Sequence, residues 1–104
     1  MGSRSDIFRA KADADPGNLL FLFSLGQALV EEEEEAQAIA PLKKCVEGNP
    51  DWMAPKILLG KCLLVTSHEQ AAMEVLEQAL DLAIGQGHED PEAEIRGLLS
   101  EIQA

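Results

Sequence analysis

Residues 19–50 read LLFLFSLGQALVEEEEEAQAIAPLKKCVEGNP, and residues 53–84 repeat much of this pattern 34 positions later. Leu25-Gly26 in the first stretch corresponds to Leu59-Gly60 in the second. The pattern positions of the first stretch are Leu22, Leu25, Gly26, Leu29, Ala38, Leu42, Cys45 and Pro50. Their counterparts keep the residue type, except Lys56 and Ile84. A repeat of this length is typical of stacked helical hairpins.

The composition favours an all-α fold. The chain has 104 residues, of which 46 % are hydrophobic and only 4 % aromatic, with no Tyr. A core of Leu, Ala, Ile and Val with few β-branched runs suits helices better than sheet. We therefore expect one small all-α domain spanning residues 1–104.

Capping and turn residues predict where the helices begin and end. We expect helices over residues 5–14, 19–31, 36–47 and 51–65, a fifth that starts near Ser67, and a last one over residues 90–104. The candidate N-terminal caps are Asn18, Asp51, Asp90, and Ser67 with Gln70 at capping-box spacing. Gly48 should end the third helix in the left-handed conformation, and Gly85 or Gly87 should end the fifth.

Two features interrupt this regular pattern. Residues 31–35 are five consecutive Glu residues, which we interpret as a solvated turn and the start of a helix, because like charges resist burial. A metal site there is a weak alternative, since nothing fixes its geometry. Pro41 lies about one turn inside the third helix and should kink it or move its start later.

The repeated pattern resembles the tetratricopeptide repeat, in which large apolar residues, Leu-Gly, Ala, a small residue and Pro recur within 34 residues. Phe8 and Pro16 lie 34 positions before Leu42 and Pro50, so the resemblance extends over roughly residues 5–84. It implies a right-handed superhelix of stacked antiparallel helix hairpins, a tetratricopeptide-like α-solenoid. Its parts would be a half-repeat helix at 5–16, repeats at 19–50 and 53–84, and a capping helix at 90–104.

The chain also departs from that family's pattern. The Glu run replaces the usual Gly-containing turn and is expected to lengthen the first helix of its hairpin. Only two full repeats are present, whereas about three are normally needed for stability. We therefore expect residues 5–16 and 90–104 to cover the ends of the core, because the chain would otherwise self-associate.

The resemblance implies a protein-binding module, with a concave face lined by the first helix of each hairpin. One face of each of these helices forms what we call the inner stripe, which comprises Leu20, Phe23, Gln27, Val30, Ala54, Ile57, Lys61 and Leu64. Chaperone-binding relatives hold a terminal carboxylate here with Lys and Asn. The inner stripe is instead mainly apolar with one cation, so we do not expect carboxylate capture.

Two interpretations of the inner stripe remain open. It is either an open groove for an apolar or amphipathic helical segment, or a face already covered by the N-terminal segment or by a second copy of the chain in a homodimer. The expected partner is accordingly a protein or peptide, or the chain itself. Replacing Phe23 and Ile57 with Ser should abolish binding or dimerisation without loss of helicity.

Charge and targeting signals restrict the possible partners and the expected cellular location of the protein. The net charge of −11 argues against nucleic acid and anionic membrane as partners, since both require basic surfaces. No apolar stretch is long enough to span a membrane, and the N-terminus has no apolar signal core. Cys45 and Cys62 have neither metal-ligand nor CxxC spacing and are expected to be buried free thiols. Together these features predict a cytoplasmic protein.

No residues point to catalysis. His68 and His88 lie in polar turns, and the sequence contains no motif for hydrolysis, phosphate binding or dinucleotide binding. We therefore predict that the protein is not an enzyme and uses no metal and no cofactor. Trp52, at the start of the fourth helix, is expected to pack in the joint between helices, with a role as a ligand anchor as the alternative.

Overall fold

The computed structural model describes residues 2–103, without the side chain of Gln103, and this part of the chain forms six helices and no strand. The helices are α1 (Arg4–Ala14), α2 (Leu19–Glu31), α3 (Glu35–Gly48), α4 (Met53–Val65), α5 (Glu69–Gln86) and α6 (Glu89–Gln103). The expected all-α fold is confirmed. Consecutive helices pack against one another, and α2 also contacts α4. The hairpins α2–α3 and α4–α5 therefore form an elongated stack of 41 × 26 × 20 Å, with α1 and α6 at its ends.

The glycines of the repeated Leu-Gly pairs lie at close contacts between the two helices of each hairpin. A Cβ atom on Gly26 would lie 2.7 Å from Leu42, and one on Gly60 would lie 2.5 Å from Leu76. Both leucines are fully buried, so neither can move aside. The same contact recurs 34 positions later, and this explains why each hairpin needs glycine at this position.

The repeated positions are also buried to the same extent in both hairpins. Buried pairs that lie 34 positions apart are Leu25 and Leu59, Leu29 and Leu63, Ala38 and Ala72, and Cys45 and Ala79. Lys56, which breaks the apolar pattern, is only 6 % exposed and occupies the place of buried Leu22. Its Nζ donates a hydrogen bond to Oε1 of Gln78 at 3.3 Å, so the ammonium group has a partner despite its burial.

Of the four N-terminal caps predicted from the sequence, the structure contains one. Asn18 caps α2, because its side chain accepts a hydrogen bond from the Phe21 amide at 3.2 Å. The other three predicted caps are wrong. Helix α4 begins at Met53 with Trp52 at the cap position, α6 begins before Asp90, and α5 follows His68 with no side-chain cap.

The glycine and proline residues at helix ends and inside helices give one further agreement and two further differences. Gly87 ends α5 with φ of 72°, as one of the two expected candidates. The prediction of a left-handed Gly48 is wrong, because Gly48 is the last residue of α3 and the residue that follows it, Asn49, has a negative φ of −145°. Pro41 does not delay the start of α3, which runs unbroken from Glu35 to Gly48 with the Pro41 ring buried.

The Glu run forms the turn between α2 and α3 and also holds α1. Helix α2 is not lengthened by it, since α2 and α4 end at the equivalent residues Glu31 and Val65. The Glu32 carboxylate accepts hydrogen bonds from the Ser5 amide at 3.0 Å and the Ser5 hydroxyl at 2.6 Å. Arg4 forms an ion pair with Glu31 at 2.6 Å. The run is thus a docking point for the first turn of α1 as well as a solvated turn.

At the other end of the stack, α6 closes the core with one apolar side. Ile95 and Leu99 are buried in the main core cluster, and Leu98 and Ile102 pack partly against it. The outer side of α6 is charged, and there Arg96 pairs with Glu92 at 3.0 Å. An amphipathic helix of this kind covers the last hairpin and presents a polar surface to water.

Candidate functional site

The inner stripe follows one face of α2 and one face of α4. Its members lie three, seven and ten residues after the first on each helix, a spacing that keeps side chains on one side of a helix. Leu20 is 67 % exposed and Ala54 is also exposed, whereas the other six members are half-buried. Because α2 and α4 are in contact, the two halves of the inner stripe lie on neighbouring helices.

Phe23 belongs to the inner stripe and to the core at the same time. Its ring meets the Trp52 ring edge-on, with centroids 4.8 Å apart and an angle of 60° between the planes. Phe23 also packs against the main core cluster. Trp52 therefore lies in the joint before α4, as expected, and it touches a member of the inner stripe.

Four apolar members have a structural role alongside any binding role. Phe23, Val30, Ile57 and Leu64 are partly buried and pack against the main core cluster. Replacing Phe23 and Ile57 with Ser would consequently remove core packing as well as a binding surface. A substitution of Leu20 tests binding with less effect on the core, since most of its side chain is in contact with solvent.

Lys61, the single cation of the inner stripe, is held by the last helix. Its Nζ forms an ion pair with Glu94 of α6 at 2.9 Å, and both side chains are more than two-fifths exposed. The pair neutralises the cation and places an acidic residue beside the α4 half of the inner stripe. An incoming ligand would meet a mainly apolar surface at this point rather than an isolated positive charge.

Sequence reasoning missed one residue on this face. Val65, the last residue of α4, is 64 % exposed, although valine is usually buried. It lies four residues after Lys61 and so points to the same side of the helix. This spacing was available in the sequence, and Val65 extends the α4 half of the inner stripe by one apolar position.

The two cysteine thiols are free and buried. Burial raises the pKa of the Cys45 and Cys62 thiols to about 11, and for Cys62 the nearby Glu35 carboxylate adds to the effect. Thiols of this kind stay protonated and unreactive at neutral pH. Among the side chains that the structure describes, no His, Cys, Asp and Glu residues gather into a group that could hold a metal ion. None of the six helices has the length and apolarity to cross a membrane.

Comparison with known proteins identifies the architecture. No protein-family model matches the chain, and no curated protein matches it significantly. The translocator chaperone SycD of Yersinia enterocolitica aligns with a TM-score of 0.88 at 17 % identity, over 95 % of this chain and 69 % of SycD.

Two further structures have this architecture and were solved with a bound partner. PcrH of Pseudomonas aeruginosa, in complex with the chaperone-binding region of PopD, has a TM-score of 0.86 at 19 % identity, over 95 % of this chain and 75 % of PcrH. The TPR2B domain of yeast Sti1, from a complex with pHsp70, has a TM-score of 0.83 at 17 % identity, over 95 % and 79 %. The chain is therefore an all-α solenoid of the tetratricopeptide type.

Proposed function

We propose that the protein is a peptide-binding interaction module whose inner stripe is the concave face that holds an apolar or amphipathic segment of a partner protein. The observation that carries this proposal is the exposure of large apolar side chains on that face, with Leu20 at 67 % and Val65 at 64 %. Half-buried Phe23, Ile57 and Leu64 lie between them along the two helices. Covering the exposed parts of Leu20 and Val65 alone would contribute about 2–4 kcal/mol before the costs of association.

The similar structures support this type of function. PcrH was solved with the chaperone-binding region of PopD, and SycD with a peptide of the translocator YopD. The Sti1 domain was solved in complex with pHsp70. These structures are those of chaperones and tetratricopeptide domains rather than enzymes, which favours a binding role over catalysis. The acidic surface of the chain, at a net charge of −11, favours protein partners over nucleic acid or anionic membrane.

The test uses Trp52 as a built-in reporter. Trp52 is the single tryptophan of the chain and touches Phe23, so a ligand on the inner stripe should change its fluorescence. Helical peptides would be selected for binding from a random library and titrated against the protein. We expect Leu20→Ser and Val65→Ser each to weaken binding several-fold while the melting temperature changes little.

The matched control is Ile84→Ser, which removes an equally apolar, 51 % exposed side chain from α5, outside the inner stripe. It should leave the affinity unchanged. Equal losses for Leu20→Ser and Ile84→Ser would show that binding is general hydrophobic adsorption and would refute the proposal.

The second candidate is a structural unit that forms a homodimer by burying the same face. The exposure of Leu20 also favours this function, because a monomer seldom leaves large apolar side chains in water. Residues 2–18 do not shield this position, since Leu20 remains exposed beside them. The two candidates differ in the mass of the particle in solution.

A further inference from the structure

A cavity lies on the side of α2 opposite to the inner stripe. This cavity, of about 320 Å³, opens between α1 and α3, with Leu22 and Leu25 of α2 and Ala12 of α1 among its lining residues. Leu22 and Leu25 point away from the side of α2 that carries the inner stripe. No member of the inner stripe lines the cavity. Its volume lies at the lower end of the range for ligand sites, about 300–1,000 Å³.

The polar lining of this cavity is positive in an otherwise acidic protein. Arg9 of α1 and Lys44 of α3 line it, together with one carboxylate, that of Asp13. Within the described residues, neither cation has a carboxylate within ion-pair distance, although the chain has 19 acidic residues against eight basic ones. Arg9 donates only a long hydrogen bond, 3.4 Å, to the Gln37 side chain.

A backbone feature of two residues that line the cavity favours a peptide. Pro41 has no amide hydrogen, so the Gln37 carbonyl one turn earlier lacks the hydrogen bond that it would receive in a regular helix. Both Gln37 and Pro41 line the cavity. A carbonyl oxygen of this kind can accept a hydrogen bond from an amide group of a ligand.

We propose that this cavity binds an acidic–apolar segment of a protein, with a Glu or Asp carboxylate between Arg9 and Lys44 and an adjacent apolar side chain against Leu22 and Leu25. The two cations supply charge-assisted hydrogen bonds, and the apolar floor supplies burial. The Gln37 carbonyl accepts from the backbone amide of the segment, a donor that a fatty acid or a simple carboxylate lacks. This site is separate from the inner stripe and does not depend on the function proposed for it.

In the experiment, ¹⁵N-labelled protein is titrated with a terminally blocked peptide that alternates leucine and glutamate. Binding is monitored by NMR through the amide chemical shifts of the protein. We expect shift changes at residues 9–13 and 37–44 and weaker binding as sodium chloride is added. Arg9→Gln and Lys44→Gln should each lower the affinity about tenfold, since each removes a charged partner of the carboxylate. Ala40→Trp, at an exposed residue of the lining, should fill the cavity and prevent binding while the protein stays folded.

Lys43→Gln is the matched control, because Lys43 is exposed, neighbours Lys44 on α3 and does not line the cavity. It should leave the affinity within about twofold, since Lys43 does not line the cavity and would not meet the carboxylate of the segment. Equal losses for Lys43→Gln and Lys44→Gln would overturn the proposal, as would equal binding of a leucine–glutamine peptide. Shift changes confined to the inner stripe would overturn the location, and hexanoate binding as tightly as the peptide would overturn the peptide assignment.

Discussion

Glu33 and Ser67 are the two non-glycine residues with positive φ in the part of the chain that the structure describes, at 60° and 65°. They lie 34 positions apart, in the turns between the two helices of each hairpin. The next residue in each turn donates its amide to a carbonyl five positions back, Glu34 to Leu29 at 2.8 Å and His68 to Leu63 at 2.7 Å. This arrangement ends a helix and normally uses glycine, so both residues adopt an unfavourable backbone conformation.

Glu33→Gly should therefore stabilise the protein by about 0.5–1 kcal/mol, because glycine adopts positive φ without steric cost. The free energy of unfolding in urea would measure the gain. Glu33→Ala is the control, since it removes the same charge but keeps a Cβ atom at positive φ. It should give a much smaller gain. Equal stabilisation by both variants would mean that charge repulsion within the Glu run, rather than backbone conformation, is the dominant cost.

The two buried thiols make stability depend on pH in the alkaline range. Burial raises the pKa of Cys45 and Cys62 from 9.0 to about 11. Above pH 9 the unfolded chain releases these protons while the folded chain retains them, so folding loses free energy as pH rises towards 11. Below pH 9 the contribution is complete. The Cys45→Ala/Cys62→Ala variant should show a smaller loss of stability between pH 8.5 and 10 than the natural chain, as measured by urea unfolding, and an identical loss would exclude the thiols as the cause.

At the scale of helices, packing depends on which glycines face a neighbour. Gly60→Ala would place its Cβ 2.5 Å from Leu76, which is fully buried, so α4 and α5 would have to separate. We expect destabilisation by about 1–2 kcal/mol, since the overpacking cost exceeds the gain in helix propensity. Gly97 of α6 is a matched control, because no atom lies within 4 Å of its would-be Cβ.

Gly97→Ala should instead stabilise the protein by about 0.5–1 kcal/mol, since alanine is the better helix former. Thermal melting of both variants, followed by circular dichroism, distinguishes the two effects. Similar shifts in the same direction would contradict the assignment of Gly60 to a close helix–helix contact.

The sequence predicted the helix bounds to within about two residues but three of the four N-terminal caps wrongly, for a physical reason. Asn18 was identified correctly because a cap made by a side chain three residues away is a local interaction. The cap predictions at Asp51 and Ser67 were wrong, because packing and turn geometry override the capping preference of a single side chain. Trp52, which packs on Phe23, takes the cap position of α4 in place of Asp51, and Ser67 has positive φ in the turn before α5.

The candidate sites were predictable to different degrees. The inner stripe follows from the helical period and the repeat, although its degree of exposure does not, because burial depends on neighbouring helices. The cavity between α1 and α3 could not be predicted, since it needs two helices that are not consecutive in the chain. Its signals in the sequence were the cations of these two helices and a proline inside a helix.

For the whole molecule, net charge and exposed apolar side chains have opposite effects on self-association. The exposed apolar side chains at Leu20 and Val65 favour a second copy, whereas the net charge of −11 causes two copies to repel each other. The amphipathic helix α6 and the docked helix α1 cover the two ends of the stack, which reduces end-to-end association. Repulsion should prevail at low ionic strength, where the Debye length is long.

We therefore expect a monomer whose sedimentation coefficient does not rise with protein concentration at about 0.01 M salt, where the Debye length is about 30 Å. Near 0.15 M salt the length falls to about 8 Å, so any weak association through the inner stripe should appear there. Such association should be removed by Leu20→Ser and retained by Ile7→Ser, which changes a 51 % exposed residue of α1 outside the inner stripe. A stable dimer at low salt that Leu20→Ser dissociates would favour the homodimer, because the inner stripe would then be occupied by the chain itself and closed to a partner.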